Sequence, residues 1–234
     1  MKRIFLVLLL CLTTSTLFAF DTLFFKVTLL GVKCAEVEII ENYLDDDVVE
    51  IIYHTYTTGP FWKLFPTDNW YYYYTNTEFT HLDSLKKSIN DKDLKQEYRE
   101  DFSEGRILYD QDLSVEHAKP LHHILSALIF FEHHPEYLKT GVELPFDISD
   151  EGDIYGLEIG LIPNKRKAQD EVYFVFNHLA GKEYISSTDV FNWMICAGEG
   201  DRMLAFSHDD HTITEGSFSL GWGGLHLRAQ RIDK

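Results

Sequence analysis

The residue types that could perform chemistry are mainly histidines and carboxylates. His208-Asp209-Asp210-His211 places four possible metal ligands at consecutive positions. On a strand, alternate side chains point to opposite faces, so only residues two apart, such as His208 and Asp210, would converge. A zinc site needs at least one further ligand, and the sequence identifies none. We expect a solvated turn here and assign no metal ligand. A metal-assisted hydrolase using His208, Asp210 and His211 is kept as an alternative function.

A second group of histidines flanks a predicted helix: His122 and His123 at its start, His133 and His134 at its end. His122 and His133 are three helical turns apart and would share one face. They would nevertheless lie about 16 Å apart along the axis, which is too far to share an ion. We expect these residues to cap the helix, with His133 and His134 at the negative end of its dipole.

Other enzyme classes leave no signature in this chain. There is no Gly-x-Ser-x-Gly nucleophile motif. Pairs of acidic residues are frequent, but 38 acidic residues in 234 make such pairs expected. We therefore assign no catalytic residue and no cofactor, and predict a protein that is not an enzyme.

Aromatic residues supply a different kind of candidate site. Residues 70–74 read Trp-Tyr-Tyr-Tyr-Tyr, a composition typical of a strand. Alternation would place Trp70, Tyr72 and Tyr74 on one face. Together with Trp62 they are our candidate ligand-binding residues, lining an aromatic groove on a concave face. The alternative is ordinary sheet packing, with the tyrosine hydroxyls reaching water.

The first residues have the features of a targeting sequence. Basic Lys2 and Arg3 precede nine apolar residues, and Ala19 offers a small residue for cleavage. Nine residues would span about 14 Å as a helix, well short of a bilayer core of about 30 Å. We predict a signal peptide over residues 1–19, export to the periplasm or beyond the cell, and a mature chain that does not span the membrane.

The net charge narrows the classes of molecule that we expect this chain to bind. The chain carries 21 basic and 38 acidic residues, a net charge of −17. Affinity for phosphates comes mainly from Lys and Arg, so nucleic acid is not an expected partner. The expected partner is an apolar ligand or a protein of the cell envelope.

Export would place two cysteines, Cys34 and Cys196, in an oxidising compartment. A disulfide between them would tie the first strands to the last third of the chain. Two separate buried thiols are the alternative, since the distance between the Cα atoms decides the matter.

The elements that must position these residues are mostly strands. Runs rich in β-forming residues, separated by turn residues, cover 24–40, 48–57, 70–74 and most of 142–232, including 190–196. One helix is predicted from Pro120 to Glu132, ended by Pro135. Residues 83–104 fit either a helix or an exposed hairpin. No linker divides the chain, so residues 20–234 are predicted to form a single domain.

Several segments resemble the DUF3108 family, exported bacterial proteins without an assigned reaction. The resemblance rests on three segments. Residues 25–27 with 30–36 are similar to the family's opening strand, a glycine and a second strand. Residues 108–110 followed by 120–131 are similar to its strand, turn and helix, and residues 138–146 to its strand after that helix. It implies a mainly β fold, a strongly curved antiparallel sheet (a β-roll or partial barrel) packed around one α-helix. It also implies strands over 83–104.

These observations favour a non-catalytic, exported envelope protein that holds an apolar or amphipathic ligand, or an envelope partner. Such a ligand site would need a cavity of roughly 300–1,000 Å³. A scaffold without a ligand, docking through a sheet edge, is a further alternative.

Overall fold

The computed structural model describes residues 21–44, 47–92, 94–103, 106–109, 114–162, 169–181, 195–196, 200–219 and 226–233. The predicted signal peptide lies outside these residues. The strands are β1 (Asp21–Leu29), β2 (Val32–Tyr43), β3 (Val49–Thr57), β4 (Asp68–Thr75), β5 (Leu82–Asp91), β6 (Leu94–Ser103), β7 (Arg106–Tyr109), β8 (Ser114–Glu116), β9 (Leu121–His122), β10 (Asp147–Asp150), β11 (Asp153–Ile162), β12 (Gln169–Ala180), β13 (Arg202–Ser207), β14 (Ile213–Ser219) and β15 (His226–Ile232). The helices are α1 (Pro60–Leu64), α2 (Ile124–His133) and a single 3-10 turn at Pro135–Tyr137.

All fifteen strands belong to one sheet, in the order β8-β7-β6-β5-β4-β3-β2-β1-β15-β14-β13-β12-β11-β10-β9. Neighbours are antiparallel except for β9 and β10, which are parallel. The first and last strands pair in the middle, where Val27 lies opposite Ala229. The sheet is not closed, and its two edges, β8 and β9, are neighbours in sequence.

The sheet curls around α2. Tyr73 of β4 bonds through its hydroxyl to His123 Nδ1 at the start of α2 over 2.8 Å. On the same helix, the ring of Phe131 lies 5.7 Å from that of Phe174 on β12. In a flat sheet β4 and β12 would be about 33 Å apart, seven strand spacings. Contact of both with one helix requires strong curvature. The predicted fold class, a strongly curved antiparallel sheet around one main helix, is confirmed.

Helix α2 begins later than the sequence indicates. Leu121 and His122 pair with β10, so Pro120 does not occupy the first helical position, and that part of the prediction is wrong. His123 is the N-cap, where its Nδ1 accepts from Leu125 N and its own backbone N–H donates to Ser126 Oγ. Because sheet pairing satisfies the backbone of 121–122, the helix starts only after it. The predicted end before Pro135 is confirmed.

The described residues of the segment 83–104 belong to the hairpin of β5 and β6, as the family resemblance implies. Leu85, Lys87 and Ile89 are buried and alternate with more exposed residues. Burial with a period of two residues therefore outweighs the local helical preference. In contrast, β10 starts only at Asp147, not at Val142. Residues 195–196 are helical rather than extended, while 190–194 lie outside the described part.

Within the part of the chain that the structure describes, no helix combines the length and apolar character needed to cross a bilayer.

Candidate ligand-binding site

An apolar cavity lies between the concave face of the sheet and α2. Its volume is about 150 Å³, and it is partly open to solvent. Its walls come from the strands on both sides of the β1–β15 pairing and from one face of α2. The lining includes Phe25, Val27, Val37, Ile39, Tyr53, Tyr71, Ile124, Leu125, Leu128, Phe174, Phe176, Leu204, Ile213, Phe218, Leu227 and Ala229.

Small residues on adjacent strands contribute to the space at the centre. Gly216 of β14 lies opposite Ala229 of β15 on one side and Leu204 of β13 on the other. A Cβ atom at Gly216 would lie 3.2 Å from Leu204 Cδ2, so any larger residue would crowd this wall. Glycine and alanine at these neighbouring positions leave room that two β-branched residues would fill.

The polar group of Tyr53, which lines the cavity, is engaged in the fold. The hydroxyl of Tyr53 donates to the carbonyl of Leu125 in α2 over 2.7 Å, so this tyrosine presents its ring to the cavity. Burial raises the pKa of Tyr53 well above its usual value, and it stays neutral.

Among the described lining residues, one is charged: Arg202, the first residue of β13. Its guanidinium donates through Nη1 to Gly200 O (3.0 Å), through Nη2 to Cys196 O (3.4 Å), and through Nε to Ile195 O. It lies 5.0 Å above the centre of the Phe176 ring. Burial lowers the pKa of Arg202, although nearby groups with negative charge oppose this effect.

A second feature, which we call the buried charge cluster, consists of Lys87, Glu100, His123, Asp150 and Glu151. All five are at most 6% exposed. Lys87 Nζ lies 3.1 Å from Glu151 Oε1 and 3.8 Å from Asp150 Oδ1. His123 Nε2 is 3.7 Å from the same Asp150 oxygen. The cluster joins β5 and β6 to the β10–β11 turn, and so connects strands from opposite halves of the open sheet.

Burial dominates the titration of this cluster. It raises the pKa of Glu100 to about 7, although the positive charge of Lys87 acts in the opposite direction. It also raises the pKa of Asp150 and lowers that of His123 well below its usual value. None of the five residues lines the apolar cavity. Because reagents need access to a reacting group, we interpret the cluster as a closure of the roll rather than an active site.

The four predicted ligand-binding residues do not line this cavity. Trp70, Tyr72 and Tyr74 do share one face of β4, but it is the outer, half-exposed face. Trp70 stacks on His54 with ring centres 3.8 Å apart. Trp62 lies on α1 and is 47% exposed. Their placement on the concave face is therefore wrong, because the alternation was assigned to the wrong side.

The inner face of β4 carries Tyr71 and Tyr73 instead, at 2% and 0% exposure. Residues 70–74 alone do not identify Tyr71 and Tyr73 as inward-facing, because five consecutive aromatic residues do not reveal which face is buried. The neighbouring segment at 49–53 contains the pattern that indicates which face is buried. There Val49, Ile51 and Tyr53 alternate with Glu50, and register pairing places Tyr71 beside Tyr53 and Tyr73 beside Ile51.

Cys34 and Cys196 are both buried and do not form a disulfide, so the structure agrees with the alternative of two separate thiols. Cys34 Sγ lies 3.5 Å from Val27 O, as expected for a weak S–H donor. Burial raises the pKa of Cys34, which keeps the thiol protonated and unreactive.

The segment at 208–211 is an exposed turn between β13 and β14. Asp210 accepts hydrogen bonds from Thr212 N (3.3 Å) and Thr212 Oγ1 (3.0 Å), the pattern of a side chain that stabilises a turn. His208 instead faces Asp170, at 3.1 Å. Among the described residues, no three histidines, cysteines or acidic residues are placed to hold a metal ion. The hydrolase alternative gains no support from this geometry.

Comparison with known proteins adds a fold relationship. No family model and no curated protein matches the sequence. A crystal structure of a beta-barrel-like protein of the domain of unknown function DUF1849 from Brucella abortus matches 91% of this chain and 95% of its own, with a TM-score of 0.51 and 6% identity. At that identity the likeness concerns the fold alone. The resemblance to DUF3108 stays a prediction.

Proposed function

We propose that this chain is a non-catalytic, exported protein of the bacterial envelope that holds an apolar or amphipathic ligand in the cavity between α2 and the concave face of the sheet. The predicted signal peptide and the resemblance to DUF3108 support the export and the compartment. The observation that carries the binding proposal is the cavity itself, with its almost wholly apolar walls.

Apolar walls make an apolar occupant favourable. A space of about 150 Å³ corresponds to roughly five water molecules, and water in an apolar cavity lacks hydrogen-bond partners. Each methylene group moved there from water contributes about 0.8 kcal/mol. The cavity is smaller than the 300 Å³ that the sequence-based hypothesis required, so we expect one slender chain rather than a bulky ligand.

The first test asks whether the protein carries a ligand. Mature protein purified from a periplasm is measured by native mass spectrometry and again after denaturation. Extra mass that disappears on denaturation supports the proposal, and its value gives the class of ligand. A metal-sized difference would instead favour the hydrolase alternative.

The second test locates the site with a slender single-chain probe, octanol, added to protein stripped of ligand and followed by calorimetric titration. Ala229→Phe places a ring in the centre of the cavity, and we expect at least a tenfold loss of probe affinity. Gln230→Phe is the matched control, because the adjacent residue on a strand points to the opposite face. It should leave the affinity unchanged. Equal binding by both variants, with normal melting curves, would refute the assignment of this cavity.

A further inference from the structure

Large apolar side chains are exposed at the end of the sheet where the β1–β2 turn lies beside α1. They form what we call the apolar end patch: Leu30, Val32, Trp62, Leu64 and Phe65. All five are between 47% and 72% exposed. Thr58 N donates to Cys34 O over 2.9 Å, which holds the beginning of the α1 connection beside β2, and α1 itself contacts β2. The patch therefore combines two segments that are distant in the sequence.

Folding does not account for the residues of the patch. None of the five belongs to the hydrophobic core, and α1 has no buried residue. Leu30 has a φ of 51° and Gly31 a φ of 78°, so both turn residues lie in the left-handed region. Asparagine and glycine suit such a turn, whereas leucine is disfavoured there. An apolar side chain at a strained, exposed position costs stability, which points to a role outside folding.

The composition of the patch matches a lipid surface better than a protein partner. Residues 27–35 and 57–67 contain two lysines and no acidic residue, although 38 of the 234 residues of the chain are acidic. Lys33 pairs with Glu36, and Lys63 lies between two patch residues of α1. Tryptophan is enriched at membrane interfaces, where lysine can lay its alkyl stem along apolar surface and extend its charge to the headgroups. Protein interfaces are instead depleted in lysine.

The opposite end of β2 has a different character. This strand has twelve residues, so its last residue lies about 36 Å from Val32. Leu44 follows the strand there and is also exposed, but the next three residues in the sequence are Asp45, Asp46 and Asp47. The exposed apolar surface at the two ends of β2 therefore differs in its charged neighbours, and the end with lysines is the one suited to lipid headgroups.

We propose that the apolar end patch docks this protein onto the surface of a lipid bilayer, with Leu30, Trp62 and Phe65 inserted between the headgroups and the acyl chains. Helices and loops that bind membranes in this way bury apolar side chains at that depth. The inference goes beyond the proposed function and does not require that the cavity hold a ligand. Leu227, which lines the cavity, pairs with Leu29 next to the patch, so docking would bring this end of the cavity to the membrane.

The test measures co-sedimentation with phosphatidylcholine vesicles in 0.15 M NaCl. Zwitterionic lipid is used because the net charge of −17 would oppose an anionic surface. Mature protein is required, with a mass showing that residues 1–19 are absent, since their apolar run would itself bind lipid. We expect the wild-type protein to sediment with the vesicles. Leu30→Asn combined with Phe65→Ser should weaken binding at least tenfold.

Two comparisons make the result specific to the patch. Asparagine suits the left-handed turn position, so Leu30→Asn should weaken binding without lowering the melting temperature. Leu44→Asn is the matched control, because it removes a leucine that is more than half exposed at the other end of β2. It should leave binding unchanged. If the double variant proves unfolded by circular dichroism, Leu30→Asn alone decides the matter, with at least a threefold loss expected.

Three results would overturn the inference. Wild-type protein that stays in solution with vesicles present would do so, and so would equal binding by the patch variants and Leu44→Asn. Sedimentation equilibrium without lipid gives the third: a wild-type dimer that Leu30→Asn disrupts would assign the patch to a second copy of this chain. None of these results depends on the binding of octanol in the cavity, so the proposed function is tested separately.

Discussion

Replacing Lys87 by methionine tests whether the buried charge cluster holds the roll together. Methionine has similar length and volume but no charge, so Glu151 and Asp150 would lose a cation at 3.1 and 3.8 Å. Lys87 is fully buried, and these carboxylates have little access to water. Removing one partner of a buried ion pair costs about 3–5 kcal/mol, because the remaining charge is left unpaired. For a chain of this size, that corresponds to a fall in melting temperature of roughly 6–20 °C.

The assay is urea denaturation at pH 7.5, followed by circular dichroism. Lys86→Met is the matched control: this adjacent lysine lies on the outer face, half exposed, with Glu97 at 3.7 Å. An exposed pair contributes less than about 1 kcal/mol, so this variant should be close to wild type. Adding Glu151→Gln to the Lys87→Met variant should recover part of the loss. If the Lys87 and Lys86 variants unfold at the same urea concentration, the cluster does not carry the stability assigned to it.

Four further predictions concern single features of the structure. Burial raises the pKa of Glu100 from 4.5 to about 7 in the folded state. The stability that its protonated form contributes is therefore fully present below pH 4.5, decreases above that pH, and is lost as the pH rises through 7. Glu100→Gln should therefore be more favourable relative to wild type at pH 8 than at pH 5, by about 2.5 kcal/mol in urea denaturation, and a pH-independent difference would contradict this. Tyr53→Phe removes the hydrogen bond to α2 and should lower the free energy of unfolding by about 1 kcal/mol; an unchanged urea midpoint would argue against it. Alkylation of protein denatured without reductant should add two labels, at Cys34 and Cys196, by mass spectrometry, whereas zero labels would indicate a disulfide. Trp70→Ala should leave affinity for octanol within twofold in a calorimetric titration, because Trp70 is on the outer face, and a large loss would favour the outer surface as the binding site.

Local sequence patterns were sufficient to predict most of the strands, the main helix and the turns. The alternation of β4, the apolar helix ending before Pro135 and the turn at 208–211 follow from residue types and spacing alone. Composition alone did not decide between a helix and a hairpin for residues 83–104, because their lysines and glutamates also suit a helix. It became a strand prediction only through the family resemblance, and burial of Leu85 against the core explains the outcome.

The candidate site was harder to predict because it is assembled from distant segments. Arg202 gave no signal in the sequence, where it is one of 21 basic residues. Its position becomes informative only when β13 is placed beside β14 and its guanidinium beside Phe176. Likewise, the residues near Lys87 in the sequence do not indicate that this lysine is buried, because its partner Glu151 is 64 residues away.

The sequence by itself determined the mainly β class, the single long helix and the faces into which each strand divides, because these depend on short-range periodicity. Only the tertiary structure decided which face of β4 points inward, where the helix begins, and which charged side chain lines the cavity. Those properties depend on the curvature of a sheet whose first and last strands pair with each other. Curvature is set by contacts between residues far apart in the chain, and a local pattern does not contain them.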